Sequence, residues 1–424
     1  MPPTAPSHNR GLHRLAILTA LATFPLIFLG GLVTSHDAGL SVPDWPNTYG
    51  YNMFLFPPSQ WAGGILYEHT HRLMGTVVGY LAIMLAAWAW GAGRSPRVRR
   101  WLMGGIVVSL VVALGTGAWL AVGHPGSQDD KLTSRAAQSA VSFVGLAMVL
   151  VAAWLARARE PRQWVRWLSV GVLGMVIVQG ILGGLRVVQL ELDLAIVHAC
   201  VAQAFFCVVA LVALATSRWW VNAEAQRQTG SPAGRALVRL AVAAWVVIYL
   251  QLIVGATMRH YKAGLAIPDL PLAYGQVLPP TDAAHLADLQ HRMAGEQWWD
   301  ANQSTLGQVW LHFGHRIGAV AVTVVLAALI LTVLRKHRRP GLRGPALLLI
   351  ALLVIQLTLG VLTVLLQKPA DIASAHVAVG ALVLLATFVL VVRAMRLYSP
   401  AILVGSDEGR RGFEPIGVGR PAVS

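Results

Sequence analysis

Residues 38–50 read "AGLSVPDWPNTYG" and residues 263–275 read "AGLAIPDLPLAYG". Eight of the thirteen positions are identical, and the copies lie 225 residues apart. Each follows a long apolar run. A proline-braced loop written twice points to internal duplication. In both copies an aspartate, Asp44 or Asp269, stands between two prolines, which makes the segment stiff and extended. The Tyr-Gly that closes each copy supplies an amphipathic ring and a turn residue. Such a loop can fold back as a lid over a site; its aspartate can equally cap a turn.

Two further landmarks recur in the same order. "EHTHRLMGTV" at 68–77 matches "HFGHRIGAV" at 312–320, pairing His71 with His315 and Arg72 with Arg316. "QGILGGLRVV" at 179–188 matches "QLTLGVLTVL" at 356–365. A histidine follows each glutamine, His198 after 19 residues and His376 after 20.

The 424 residues are 56% hydrophobic and 12% charged, whereas soluble domains carry about 25% charge. Apolar blocks of about 20 residues match the length that spans a bilayer as a helix. The expected fold is therefore an all-α polytopic membrane protein. Helices are expected at about 13–34, 70–92, 101–123, 135–156, 164–187, 195–216, 236–258, 307–334, 343–366 and 372–395. The first exceeds a signal-peptide core and lacks a small-residue cleavage site, so it is expected to stay in the mature protein.

Ten helices divide unevenly between two copies. Residues 1–217 form an N-terminal repeat and 236–396 a C-terminal repeat, each a four-helix bundle, with the pair at about 101–156 inserted into the first. An inserted pair returns the chain to its starting side, so the repeats are parallel and related by an axis along the membrane normal. The stretch 276–306 is expected to hold a short amphipathic surface helix. The tail, 397–424, is Gly-rich, basic and expected to be disordered.

The net charge of +15 raises the question of nucleic acid. Its distribution argues against that. With the N-terminus inside, 24 of the 33 Lys and Arg fall in inner segments. That bias sets an orientation with both termini cytoplasmic. Cys200 and Cys207 fall seven residues apart in one expected helix, roughly 10 Å along its axis, which forbids a disulfide between them.

His71, His198, His315 and His376 each fall near the start of a helix that descends from the outer face. Ionisable groups in lipid usually face a bundle interior or a cavity. Two histidines per repeat, on separate helices, is the number that ligates a haem iron from both faces. The internal symmetry pairs His71 with His198 and His315 with His376. No Cys-x-x-Cys-His stretch is present for covalent haem attachment. Arg72 and Arg316 are candidates for pairing a haem propionate, or interfacial arginines that snorkel. Where the repeats differ, Glu68 faces His312. Glu68 lies three residues before His71, on the same helix face, and is expected to project toward whatever His71 ligates. It could move protons there, or serve only as a charged helix-start residue.

Together, "GLSVPDWP", "EHTHR", "QGILGG", "GLAIPDLPLAYG", "GHRIG" and "SAHVAVGAL" resemble the haem A synthase family over about 13–92 and 164–396. The resemblance implies a membrane haem-dependent oxidoreductase that converts haem O to haem A. A methyl group of the porphyrin becomes a formyl group, and the product serves terminal oxidases. It implies a haem b in the C-terminal half, with iron ligands mapping to His315 and His376. It implies a substrate-haem half whose ligands map to His71 and His198, and a catalytic glutamate mapping to Glu68. The expected partners are haem O, an electron donor and membrane lipid; docking of the haem O synthase and a homo-oligomer stay open. The expected location is the cell inner membrane, with the haem sites toward the outer face. Two departures stand out. Residues 35–67 lack the cysteine pair of many family members, and the pair at 101–156 has no counterpart in the family's eight-helix pattern. A di-haem cytochrome b acting in electron transfer and a proton-relaying transporter are the rival readings.

Overall fold

A computed structural model describes residues 9–91, 95–123, 131–156, 159–293 and 304–399. The expected disorder of the tail beyond Ser399 lies outside the described residues. The described part is all helix and loop, with two isolated β-bridges. In order the helices are α1 (Arg10–Ser35), α2 (Gly63–Trp90), α3 (Pro96–Gly123), α4 (Lys131–Leu155), α5 (Gln163–Gln189), α6 (Leu192–Ala215), α7 (Arg218–Ala223), α8 (Pro232–His260), α9 (Ala283–Met293), α10 (Leu306–Lys336), α11 (Pro340–Leu365) and α12 (Ala370–Tyr398).

Nine of them, among the described residues, are long and apolar enough to cross a membrane: α1, α2, α3, α5, α6, α8, α10, α11 and α12. In α4 the apolar part among the described residues is Ser139–Leu155. Only helices can satisfy every backbone polar group within one segment in hydrocarbon, which is why such a chain folds this way. The chain is an integral membrane protein.

Packing gathers α1, α2, α5 and α6 into one ring of neighbours, and α8, α10, α11 and α12 into another. The first encloses a core that includes Leu12, Leu85, Val172, Phe205 and Val209; the second encloses Leu237, Leu326, Leu349, Leu384 and Leu390. The pair α3 and α4 stands outside these rings. Its helices pack on each other, and α4 leans on α2, where Gly145 gives room to the Tyr80 ring. Val108, Val111 and Leu114 on α3 stay well exposed, as expected for residues facing lipid.

The rings touch through α12 and α8, which meet α1 and α6. A Cβ on Gly31 of α1 would lie 3.1 Å from the Ser374 Cβ of α12. Ser35 Oγ and Ser374 Oγ are 3.0 Å apart, and Arg259 of α8 donates to Gly31 O and Ser35 Oγ. Tyr249 of α8 donates to Cys200 O of α6 at 3.0 Å.

The helices that carry the four paired histidines start earlier than their expected starts. His71, His198, His315 and His376 lie six to nine residues past their helix starts, roughly 9–14 Å along the axis. In α2 the shift is largest, because the helix begins in "GGILYE" in spite of its two glycines. The expected surface helix is α9; its Leu286 is buried against Ile267, Tyr274 and Val309, while Arg292 pairs in the open with Asp288 at 2.6 Å.

Gly31→Val should wedge α1 away from α12 and cost about 1–3 kcal/mol. A lower midpoint in thermal unfolding of the purified protein, relative to Gly104→Val on the open face of α3, checks this.

Candidate functional site

The site begins with the loops. In the first, Tyr49 and Gly50 have positive φ (50° and 77°), and Thr48 and Tyr51 exchange backbone hydrogen bonds of 3.0 Å. Two positive φ values at the central positions define a type I′ turn, which a tyrosine enters only when something holds it. Asp44 does so. Its two carboxylate oxygens accept from the backbone N–H groups of Tyr49 and Gly50, both at 2.8 Å. The Tyr49 hydroxyl then reaches back to Ser41 O. The second loop repeats this. Tyr274 and Gly275 have φ of 57° and 74°, Asp269 accepts from their N–H groups at 2.7 and 2.8 Å, and the Tyr274 hydroxyl donates to Ala266 O at 2.6 Å. The aspartates are turn clamps.

Each loop is fixed to the helix that follows it. Arg72 donates through Nη1 to Asp44 O and Asn47 O, and through Nη2 to Val42 O and Glu68 Oε1. Arg316 donates through Nη1 to Asp269 O and Leu272 O, and through Nη2 to Ile267 O. A guanidinium has five N–H donors, and four of each are used within the protein.

Glu68 belongs to the same anchor. Only 4% exposed, it accepts from the Val42 N–H at 2.9 Å and from Arg72 at 2.7 Å. Its counterpart His312 accepts from the Ile267 N–H at 3.1 Å and lies 3.3 Å from Arg316 Nε. So the two residues occupy equivalent positions, and they differ in that one is a carboxylate and the other an imidazole. Toward the interior, Glu68 also stands within electrostatic reach of Arg186.

Beneath the loops the four histidines form two pairs. The ring centroids of His71 and His198 are 6.5 Å apart with planes at 79°; those of His315 and His376 are 6.4 Å apart at 72°. Two imidazoles on opposite sides of one metal, each bonded at about 2.0–2.1 Å, have centroids roughly 6.3 Å apart. Nδ1 of His71, His198 and His376 is sealed from solvent and lies toward the backbone of Leu26, Gln179 and Gln356 respectively. That leaves Nε2 to face the partner ring. Among the described residues no group of three or more His, Cys, Asp or Glu gathers to hold a metal ion. A pair offers two axial donors and suits a metal that brings its own equatorial ligands, as a haem does.

What aims the rings was missed in the sequence. Each imidazole lies over a glycine of the preceding membrane helix. A Cβ on Gly30, Gly183, Gly255 or Gly360 would sit 3.0–3.3 Å from Cε1 of His71, His198, His315 or His376. Any larger residue would push the ring away. Four residues before each glycine stand Leu26, Gln179, Gln251 and Gln356. Gln179 donates to His198 O at 3.0 Å; Gln251 donates to His315 O at 2.8 Å and lies 3.1 Å from its Nδ1. The first loop completes the roof: the Trp45 indole covers Gly184, next to the glycine under His198.

The model of a family described as cytochrome oxidase assembly protein matches residues 13–124 and 139–389. The chain belongs to this family. The match runs through α3 and the apolar part of α4, so a pair expected to lack a family counterpart falls largely within the family model. The chain is similar to curated relatives named haem A synthase. That of Cereibacter sphaeroides is 27% identical over 405 residues, covering 92% of this chain and 88% of the relative. Those of Symbiobacterium thermophilum (28% over 227 residues) and Rickettsia bellii (33% over 135 residues) match 52% and 32% of this chain. The chain spans 65% and 36% of the length of those two relatives.

Asp269→Ala removes both acceptors from the second turn and should cost about 1–3 kcal/mol locally. Faster amide exchange at Tyr274 and Gly275, with exchange in α12 unchanged, checks this.

Proposed function

We propose that this chain is a haem A synthase, a membrane oxidoreductase that converts a methyl group of haem O to the formyl group of haem A. Two half-buried imidazole pairs with nearly equal centroid separations, 6.5 and 6.4 Å, carry the reading. His315 and His376 would hold a resident haem b, and His71 and His198 the substrate haem. Bound there, the iron porphyrins would supply the oxidation chemistry.

The protein's own part is orientation and exclusion of water. Four glycine platforms and Gln251 fix the imidazole planes, so that the Nε2 lone pairs converge without reorganisation. The clamped loops close one end of each ring of helices and hold bulk water off. Glu68 gives the N-terminal half the carboxylate that the other half lacks. A proton can be held or passed at its Oε atoms once the Val42 N–H or Arg72 lets go. The four equivalent positions support reading the halves, 1–217 and 236–396, as parallel copies of one unit. The excess of Lys and Arg at the ends away from the loops supports an inner-membrane orientation with cytoplasmic termini and the sites toward the outer face. Haem O, an electron donor and lipid are the partners this reading requires.

The near-equal geometry of the two pairs favours one rival, a di-haem cytochrome b. Glu68 separates the two. Glu68→Gln should keep both haems and lower conversion of haem O to haem A by at least about 100-fold; unchanged conversion favours the cytochrome. His376→Ala should abolish the low-spin spectrum of one haem while His198→Ala abolishes that of the other. Purified wild-type protein with no low-spin haem band would overturn the reading.

A further inference from the structure

With Arg72 and Arg316 committed to the loops, the carboxylates of a porphyrin need other partners. Three cations at the loop end of the helices have donors to spare. Arg186 lies in the last turn of α5 and Arg259 in the last turn of α8; Lys368 follows α11. All three are half-buried. Among the described residues none of them forms an ion pair, and Arg186 donates no hydrogen bond. The acids nearby are otherwise engaged: Asp37 pairs in the open with Lys262 at 3.5 Å, Glu68 holds Arg72, and Asp193 accepts from Tyr261. Uncompensated cations at this depth are costly.

Their placement ties them to both pockets. Arg186 is within electrostatic reach of His71 and His198, and Arg259 of His376. His260 interacts with Arg186, Arg259 and His198, so the charges of the two halves meet at one place. Lys368 interacts with Arg259. Burial first, then Arg259, holds the Lys368 ammonium below the usual lysine range, with Asp37 opposing.

The backbone is shaped around these side chains. A Cβ on Gly39 would lie 1.8 Å from Arg186 Nη2, and the Lys368 stem is the nearest neighbour of Gly264. Gly39 and Gly264 are the same position in the two loop copies. Gln367 and Lys368 both have positive φ, 58° and 60°, a conformation that side chains adopt at a cost when the surroundings require it. So Gly39 makes room for Arg186, and Lys368 lies beside the matching glycine at ordinary contact distance, 3.7 Å.

We propose that Arg186, Arg259 and Lys368 form one carboxylate-binding island between the pockets, shared by the propionates of both porphyrins. Arg186 serves the His71–His198 side and Lys368 the His315–His376 side. Arg259, whose Nη2 is bonded to α1, stands between them with Nη1 and Nε left over. The inference rests on the haem reading above and names the groups that grip the macrocycle's edge. It also accounts for the positive charge: three cations would meet four carboxylates.

The test follows haem loss from full-length holoprotein to excess apomyoglobin, by the decay of the low-spin band. Arg186→Gln should speed loss from the His71–His198 site, and Lys368→Gln loss from the His315–His376 site, each by about tenfold or more. Arg259→Gln should speed both, and Arg259→Lys, which keeps the charge, should restore most of the retention. Protein reconstituted with haem dimethyl ester, whose propionates are uncharged, should lose it at the same rate in wild type and variants. Variants that retain haem as wild type does, or lose acid and ester equally faster, overturn the island while the imidazole pairs stand. Absence of a low-spin band in wild type would remove both.

Discussion

The contact on which this molecule turns is that between an imidazole and a bare backbone. Four times, a histidine ring in one membrane helix lies on a glycine of the membrane helix before it, so close that a Cβ there would shift the ring. An imidazole in hydrocarbon is expensive unless its nitrogens have work. Pressed against the glycine, Nδ1 is turned toward backbone in three of them and toward the Gln251 side chain in His315, which leaves Nε2 for the opposite ring. Two such hairpins facing each other make a pair, and a half consists of one pair of hairpins with its loop. The bundle cores around Leu85 and Leu384 then keep the hairpins at a fixed separation.

The loops solve a second problem, fixing irregular backbone at one end of each ring of helices. Their prolines and clamped turns make them rigid, and one arginine in the following helix gathers three loop carbonyls in each copy. That fixation explains why position 68 tolerates glutamate while position 312 holds histidine: both accept the same kind of backbone N–H. The chemical difference between the halves is thereby placed on a shared scaffold.

Much of this was legible in the sequence. The duplicated loop, the histidine pairing and the helical membrane fold follow from spacing and composition, because apolar length and repeated motifs are local properties. The task of Arg72 and Arg316 was not legible. Nothing in "HR" reveals that a loop some 30 or 50 residues earlier folds its carbonyls over the guanidinium. The glycine platforms left a signal that went unread. "LIFLG", "QGILG", "QLIVG" and "QLTLG" end on the four glycines, and the third, at 251–255, supplies the Gln251 that holds His315. Helix starts were missed in α2 for a simple reason: "GGILYE" is helical only because tertiary packing overrides its two glycines.

The seam between the halves is stitched by Arg259, Ser35 and Ser374 and pressed tight where α1 and α12 meet at Gly31. Packing of this kind resists the rocking of one half against the other on which alternating-access carriers depend. The distance between the two imidazole pairs is then a constant of the scaffold.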